Sequence, residues 1–113
     1  MRVPKIPLLI LLALAACSRQ PLTPQQSAVL QPADARLAKL YENSCKACHT
    51  VAGSGAPLAG DRTVWDPRWA KGEDVLLSEA QVGFGAMPAG GACAACSDQD
   101  LAALIRFMAG RGG

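Results

Sequence analysis

A chain of 113 residues has room for one domain with a small hydrophobic core. Eleven Lys and Arg residues outnumber nine Asp and Glu residues in the full chain. Arg2 and Lys5 lie in an N-terminal segment that we predict to be removed, so the mature chain carries nine residues of each sign and no useful net charge. The basic residues are scattered without interleaved aromatic residues, and we therefore expect no nucleic-acid partner.

The N-terminal segment has the composition of a secretory signal peptide. Met1 to Lys5 is short and basic, Leu8 to Ala16 is an unbroken apolar run, and small residues follow. The run has about half of the roughly 20 residues that a membrane-spanning helix needs, which makes a permanent span the weaker alternative. We predict that residues 1–16 are a signal peptide and that the mature protein is exported.

The end of this segment, Leu14-Ala15-Ala16-Cys17, resembles the lipobox of bacterial lipoproteins, in which the cysteine becomes the lipidated first residue of the mature chain. Cys17 is also the odd one of five cysteines, and acylation would explain an unpaired thiol in an exported protein. Ser18 is similar to the next residue of lipoproteins that are passed on to the outer membrane. We expect a lipid anchor at the periplasmic face, on the outer rather than the inner membrane; a plain signal peptide is the alternative.

Residues 17–31 are predicted to be the lipidated cysteine and a flexible tether. The segment is rich in Pro and Gln and has no sustained hydrophobic period. At up to about 3.3 Å per residue it could hold the domain some 45 Å from a membrane. The alternative is that a part of it, near residues 28–30, packs on the domain, which we predict to span residues 32–113.

Two helices are predicted in the first half of the domain. Leu37, Leu40 and Tyr41 recur at helical spacing after Asp34 and lead to two cysteines, which would lie near the end of the same helix. A second helix is predicted over residues 61–70, although its internal proline allows two short turns instead.

Two more helices are predicted in the second half. One covers residues 73–82 and has two acidic residues in its first turn, where the helix dipole favours them. The last follows Ser97-Asp-Gln-Asp100, which resembles a capping box, and carries Leu101, Leu104, Ile105 and Met108 at helical spacing. No segment alternates convincingly as a strand, so the predicted fold is all-α, with three to five short helices.

A domain of about 80 residues with few aromatic residues would struggle to bury enough apolar surface alone. Cys45-Lys-Ala-Cys48-His49 has the pattern for covalent attachment of a c-type haem. Two cysteines on one helical turn can reach the two vinyl groups on one porphyrin edge, and the adjacent histidine is presented to the iron. A zinc site built from both Cys-x-x-Cys pairs would leave the only histidine unexplained, and a thioredoxin-like pair requires a β-α-β setting; both remain alternatives.

From about Tyr41 to Met108 the sequence resembles the class I c-type cytochromes and, within them, the small cytochrome c5 subfamily. Four segments carry the resemblance in order: YENSCKACH at 41–49, GAPLAGD at 55–61, GFGAMP at 83–88 and GGACAACSD at 90–98. The resemblance implies a small class I cytochrome c fold in which short helices pack around one covalently attached haem c.

The resemblance also implies residue roles. Cys45 and Cys48 would hold the haem, His49 would be the proximal and Met87 the distal iron ligand, and the Pro57 carbonyl would accept a hydrogen bond from the second imidazole nitrogen.

Further roles follow from the same resemblance. In relatives the region of Trp65 and Arg68 lies beside the haem propionates, although plain packing is an equal alternative. Cys93 and Cys96 resemble the disulfide of the cytochrome c5 subfamily, with a reducible, switching pair as the alternative.

A haem with two protein ligands has no open position for a substrate. The expected function is therefore electron transfer and not enzymatic catalysis: single electrons would pass between periplasmic or membrane redox partners that dock at an exposed haem edge. Four small apolar residues near the haem motifs are the predicted docking patch: Ala47, Val51, Ala52 and Ala86. A haem subunit of a larger oxidoreductase and a haem sensor with a displaceable methionine remain alternatives.

Overall fold

The computed structural model describes Met1 and residues 18–112, so the predicted signal peptide and Cys17 lie outside the described residues. Within residues 18–112 the chain forms α-helices, one 3₁₀ helix and no strand apart from a single bridge between Phe84 and Met87. The predicted all-α class is confirmed. The helices are α1 Pro24–Ala28, α2 Ala35–Glu42, α3 Lys46–His49, α4 Arg62–Trp69, α5 Glu73–Val82 and α6 Asp98–Met108, and the 3₁₀ helix is Ala89–Ala92. No helix in the described part of the chain is long and apolar enough to cross a membrane.

The structure differs from the flexible tether expected over residues 17–31, because α1 forms there and packs on the domain. Thr23 and Gln26 form a capping box, in which each side chain accepts a hydrogen bond from the backbone of the other. Ser27 is fully buried, and its hydroxyl donates to the Ala59 carbonyl over 2.8 Å. The packed stretch is thus longer than the alternative near residues 28–30, and it lies on the domain surface.

The packing of this segment depends on a glycine. Gly60 has a φ of +83°, and a β-carbon at this position would lie 2.4 Å from the Cδ1 atom of Leu30. The absence of a side chain therefore lets Leu30 rest directly on the Gly60 backbone. The Gly60 amide in turn donates to the carbonyl of Met108 over 2.7 Å, which ties this point to the end of α6.

The prediction that one helix leads into both cysteines is wrong, because the helix is broken before them. α2 begins after Asp34, whose carboxylate accepts from the Leu37 amide, and it ends at Glu42. The Ser44 hydroxyl then donates to the Leu40 carbonyl over 2.6 Å and replaces a backbone donor at the helix end. α3 is a separate turn, and the first cysteine of the pair precedes it.

The other predicted helices are confirmed. α4 begins after Asp61, whose side chain accepts from the Thr63 amide, and it continues through Pro67 as one helix. α5 covers the predicted residues 73–82. α6 has the predicted capping box, in which the Ser97 hydroxyl accepts from the Asp100 amide and the Asp100 carboxylate accepts from the Ser97 amide.

The core lies where α2 and α6 meet. Tyr41 is fully buried and packs edge-on against Phe107, with ring centroids 5.0 Å apart. Burial raises the pKa of Tyr41 to about 12, and its hydroxyl has no hydrogen-bond partner among the described residues. The larger cluster of buried residues comprises Tyr41, Cys45, Ala59, Trp65, Leu104, Met108 and Ala109, and a smaller one of Leu76, Ala80 and Ile105 joins α5 to α6.

One ion pair ties α2 to the start of α6. Both terminal nitrogens of Arg36 donate to Asp100, over 2.6 and 3.1 Å. The guanidinium holds the pKa of the Asp100 carboxyl well below its ordinary value. The same carboxylate also closes the α6 capping box, so it fixes both the crossing of the two helices and the beginning of α6.

Candidate functional site

A cavity of about 620 Å³ lies between α3, α5, α6 and the loop that follows α5. Its size falls within the range of protein sites for small ligands and cofactors. Most of its wall is apolar and includes Leu76, Ala80, Ile105 and Met108. The same wall contains four of the residues that the sequence singled out, namely Cys45, Cys48, His49 and Met87.

The two thiols reach this cavity from a single turn of helix. Cys45 precedes α3 and Cys48 lies within it, and the Cys48 amide donates to the Cys45 carbonyl over 3.3 Å. Neither cysteine is in a disulfide. Cys45 is buried, and burial raises the pKa of its thiol, whereas Cys48 is exposed at the rim. The pair therefore presents one sheltered and one accessible thiol to the same side of the cavity.

His49 is held with one ring nitrogen available. Its Nδ1 atom lies 2.8 Å from the Pro57 carbonyl oxygen. Because a carbonyl only accepts hydrogen bonds, Nδ1 carries the proton and Nε2 keeps an unshared electron pair for a metal. Burial is the chief cause of a lowered His49 pKa, which favours the neutral ligand form. The Trp65 ring stacks on the imidazole, with centroids 5.9 Å apart, and restricts its rotation.

The backbone of His49 is held by a residue that the sequence analysis missed. The His49 carbonyl accepts from the Ala59 amide over 2.7 Å and from the Ser27 hydroxyl over 3.3 Å. α1 is thus hydrogen-bonded to the loop that positions the imidazole. The spacing of Thr23 and Gln26, a capping-box pattern, was the one signal in the sequence that could have revealed α1.

Met87 is presented by a closed turn. Phe84 and Met87 exchange two backbone hydrogen bonds, of 3.0 and 2.9 Å, across this turn. Gly91 faces the end of the Met87 side chain, and a β-carbon there would lie 3.2 Å from the Met87 methyl carbon. The loop therefore holds the thioether at the cavity through bonds within the protein.

Comparison with known proteins identifies the family. Residues 32–108 match the family described as cytochrome c oxidase, cbb3-type, subunit III. The chain belongs to this family of c-type cytochrome domains. It is 46% identical over 68 residues to cytochrome c5 of Azotobacter vinelandii, covering 58% of this chain and 82% of that one. It is 36% identical over 75 residues to cytochrome c-555 of Chlorobaculum tepidum, covering 63% and 69% respectively.

A solved structure agrees with these relatives. It is titled as the electron transfer complex of nitrite reductase with cytochrome c, and the matching chain is 35% identical, with a TM-score of 0.61. The match covers 71% of this chain and 98% of that one. The chain is accordingly a class I c-type cytochrome of the c5 subfamily, a monohaem electron-transfer protein. It carries one covalently attached haem c, and the free thiols, the available imidazole nitrogen and the apolar cavity fit that group.

The two residues expected beside the propionates, Trp65 and Arg68, both line the cavity but make different hydrogen bonds. The Trp65 indole N–H donates a hydrogen bond to the Leu58 carbonyl over 2.9 Å, so the one polar group of this side chain is already engaged within the protein. Arg68 also lines the cavity and is exposed. One of its terminal nitrogens donates a hydrogen bond to the Val64 carbonyl over 2.6 Å. Its other N–H groups are not used in this bond, and the propionate role expected of Arg68 stays a prediction.

The second Cys-x-x-Cys of the cytochrome is a disulfide in the structure. Cys93 and Cys96 are bonded, with their Cα atoms 5.4 Å apart. Neither is therefore free to serve the zinc site considered as an alternative, and residues 18–112 hold no group of three or more His, Cys, Asp or Glu side chains suited to a metal ion. The bridge lies between the 3₁₀ helix and the Ser97 cap of α6.

The cavity rim is largely apolar, and two ammonium groups near it are paired with carboxylates. Ala47 and Ala86 are exposed and line the cavity, whereas Val51 and Ala52 are exposed outside its lining. Phe84, which the sequence analysis did not select, is 60% exposed at the same rim. The nearby ammonium groups are matched by carboxylates, in the pairs Lys46–Glu42 and Lys71–Glu79, at 2.8 and 2.7 Å.

Proposed function

We propose that this cytochrome carries single electrons between periplasmic redox partners through a haem ligated by His49 and Met87. One observation carries the proposal: His49 and Met87 line the same cavity, and hydrogen bonds of the protein itself hold the imidazole through Nδ1 and the Met87 backbone through Phe84. Two protein ligands leave no open position for a substrate, which favours a carrier over an enzyme.

The residues of the chain each have a part in this function. When bound, the haem supplies the ferric–ferrous couple. The Pro57 carbonyl keeps His49 in one tautomer and one orientation, and the neutral Met87 thioether favours the ferrous state and raises the potential. Because the Phe84–Met87 turn is closed by backbone bonds, we expect both ligands to stay in place in both oxidation states, with little reorganisation.

Carbon monoxide tests the ligation. We expect the reduced protein at neutral pH to show no rapid change of its haem spectrum on mixing with carbon monoxide, because Met87 occupies the binding position. Rapid binding would instead support the sensor alternative, in which Met87 is displaceable. Copurification with other redox subunits at fixed stoichiometry would favour the alternative of a subunit in a larger oxidoreductase.

We place partner docking at the apolar rim formed by Ala47, Phe84 and Ala86, with Val51 and Ala52 beside it. The related cytochrome in complex with nitrite reductase supports a redox protein as the class of partner. A charge at the centre of an apolar contact must be desolvated, so Ala47→Lys or Ala86→Lys should slow electron transfer to the partner about tenfold. Ala35→Lys, at an exposed position on α2, is the matched control, and equal rates in all three variants would contradict the rim as the docking site.

We also propose that the mature protein is anchored at the periplasmic face, on the outer membrane, by lipid on Cys17. The lipobox resemblance supports this, and the Cys93–Cys96 disulfide fits an oxidising compartment.

A further inference from the structure

Three arginines from distant parts of the chain converge on one carboxylate. Asp66 of α4 accepts from Arg19 Nη1 over 2.8 Å, from Arg62 Nε over 3.0 Å and from Arg111 Nη2 over 3.0 Å. Arg111 also lies over the Trp69 ring, at 5.2 Å from its centroid. We call these three arginines with Asp66 the arginine cluster. Within residues 18–112 Asp66 is the one carboxylate paired with these guanidinium groups, so the four side chains together carry a charge of +2.

The cluster has donors to spare at the surface. Arg62 and Arg111 are 30% and 32% exposed, and Arg19 is 57% exposed. Each guanidinium has five N–H groups and donates to Asp66 from only one of its nitrogen atoms. Planar guanidinium groups bind phosphate oxygens in pairs of hydrogen bonds, and a group held in place by Asp66 loses less conformational freedom on doing so. The arrangement is suited to a phosphate group.

The position of Arg19 indicates where that phosphate comes from. Arg19 is two residues from Cys17, so its Cα lies within about 7 Å of that of the proposed lipid attachment residue. Arg19 is hydrogen-bonded to Asp66, so the domain surface lies next to the attachment point. A flexible tether would instead allow a separation of some 45 Å. The lipid headgroups around the anchor are therefore within reach of the cluster.

Contact at the cluster would leave the haem rim accessible. None of the four residues of the arginine cluster lines the cavity. Arg62 and Asp66 are one turn apart on the same face of α4, and Arg68, which does line the cavity, is off that face. The mature chain has nine basic and nine acidic residues, so its net charge supplies no general attraction to an anionic surface.

We propose that Arg19, Arg62 and Arg111 bind the phosphates of anionic phospholipid headgroups and hold the domain in one orientation on the membrane. The proposal rests on the Cys17 anchor in the proposed function. The anchor determines that the domain is at the membrane, and the cluster determines which face it turns to the lipid.

Linear dichroism of the haem absorbance tests this orientation. The lipidated holoprotein is purified from membranes and placed on supported bilayers of phosphatidylcholine, alone or with phosphatidylglycerol. We expect a fixed dichroic ratio on the anionic bilayer and an isotropic value on phosphatidylcholine. Arg62→Gln combined with Arg111→Gln should lose the dichroism, whereas Lys39→Gln combined with Arg106→Gln removes the same charge away from Asp66 and should keep it.

The outcomes are distinct. Equal dichroism on both bilayers, or equal loss in both variant pairs, would overturn the proposal. The comparison of the two lipids uses the unaltered protein and holds even if a variant does not fold. Retention on phosphatidylcholine after washing reports the anchor separately. If the protein washes off phosphatidylcholine but stays oriented on phosphatidylglycerol, the lipid-binding role of the arginine cluster is supported and the Cys17 anchor is contradicted.

Discussion

Replacing Cys45 and Cys48 together by alanine should abolish covalent haem and leave the domain unfolded, whereas the same change at Cys93 and Cys96 should leave the haem attached. Without haem, the mainly apolar wall of the cavity of about 620 Å³ has no group to pack against. Small domains have a total stability of only about 5–15 kcal/mol, and one with so small a core has little to spare. We therefore expect the Cys45 and Cys48 variant to lose this fold.

The control variant, with Cys93 and Cys96 replaced by alanine, should lose far less stability. A disulfide that closes a loop of about four residues contributes about 2 kcal/mol by restricting the unfolded chain. Haem staining after denaturing electrophoresis measures attachment, and thermal unfolding followed by circular dichroism measures stability. Loss of the haem stain in the Cys93 and Cys96 variant would refute this division of labour between the two pairs.

Local patterns account for the part of the fold that the sequence predicts well. α6 depends on a capping box and an apolar stripe within residues 97–108, and α5 depends on its own acidic first turn. The attachment cysteines and His49 are contiguous, so their meeting at one cavity requires a single helical turn. Interactions between residues this close in the chain can be predicted from a segment of about ten residues.

Long-range contacts account for what the sequence did not predict. Ser27 is buried and donates to the carbonyls of Ala59 and His49, which lie 32 and 22 residues away. No pattern in the Pro- and Gln-rich segment around Ser27 predicts these contacts. The arginine cluster likewise joins residues 19, 62 and 111 through Asp66, although the basic residues are scattered along the chain. The hydrogen bond from the Trp65 indole N–H to the Leu58 carbonyl is another contact that the sequence did not predict.

Replacing Met87 by alanine should convert the proposed carrier into a cytochrome with an open iron position. Without the thioether, the reduced protein should bind carbon monoxide rapidly. Axial ligands move haem potentials over a span of roughly 0.8 V, and the loss of one thioether should lower the potential by on the order of 0.1 V. A spectroelectrochemical titration measures the potential, and stopped-flow mixing measures the binding of carbon monoxide.

Met108→Leu is the matched control, because Met108 also lines the cavity but lies on the apolar stripe of α6 and is 2% exposed. A swap of Met for Leu nearly conserves volume and costs less than about 1.5 kcal/mol. This variant should therefore keep the potential and the resistance to carbon monoxide. If Met108→Leu lowered the potential and Met87→Ala did not, the distal ligand would be Met108. The closed Phe84–Met87 turn would then have a structural role at the surface and would not supply an iron ligand.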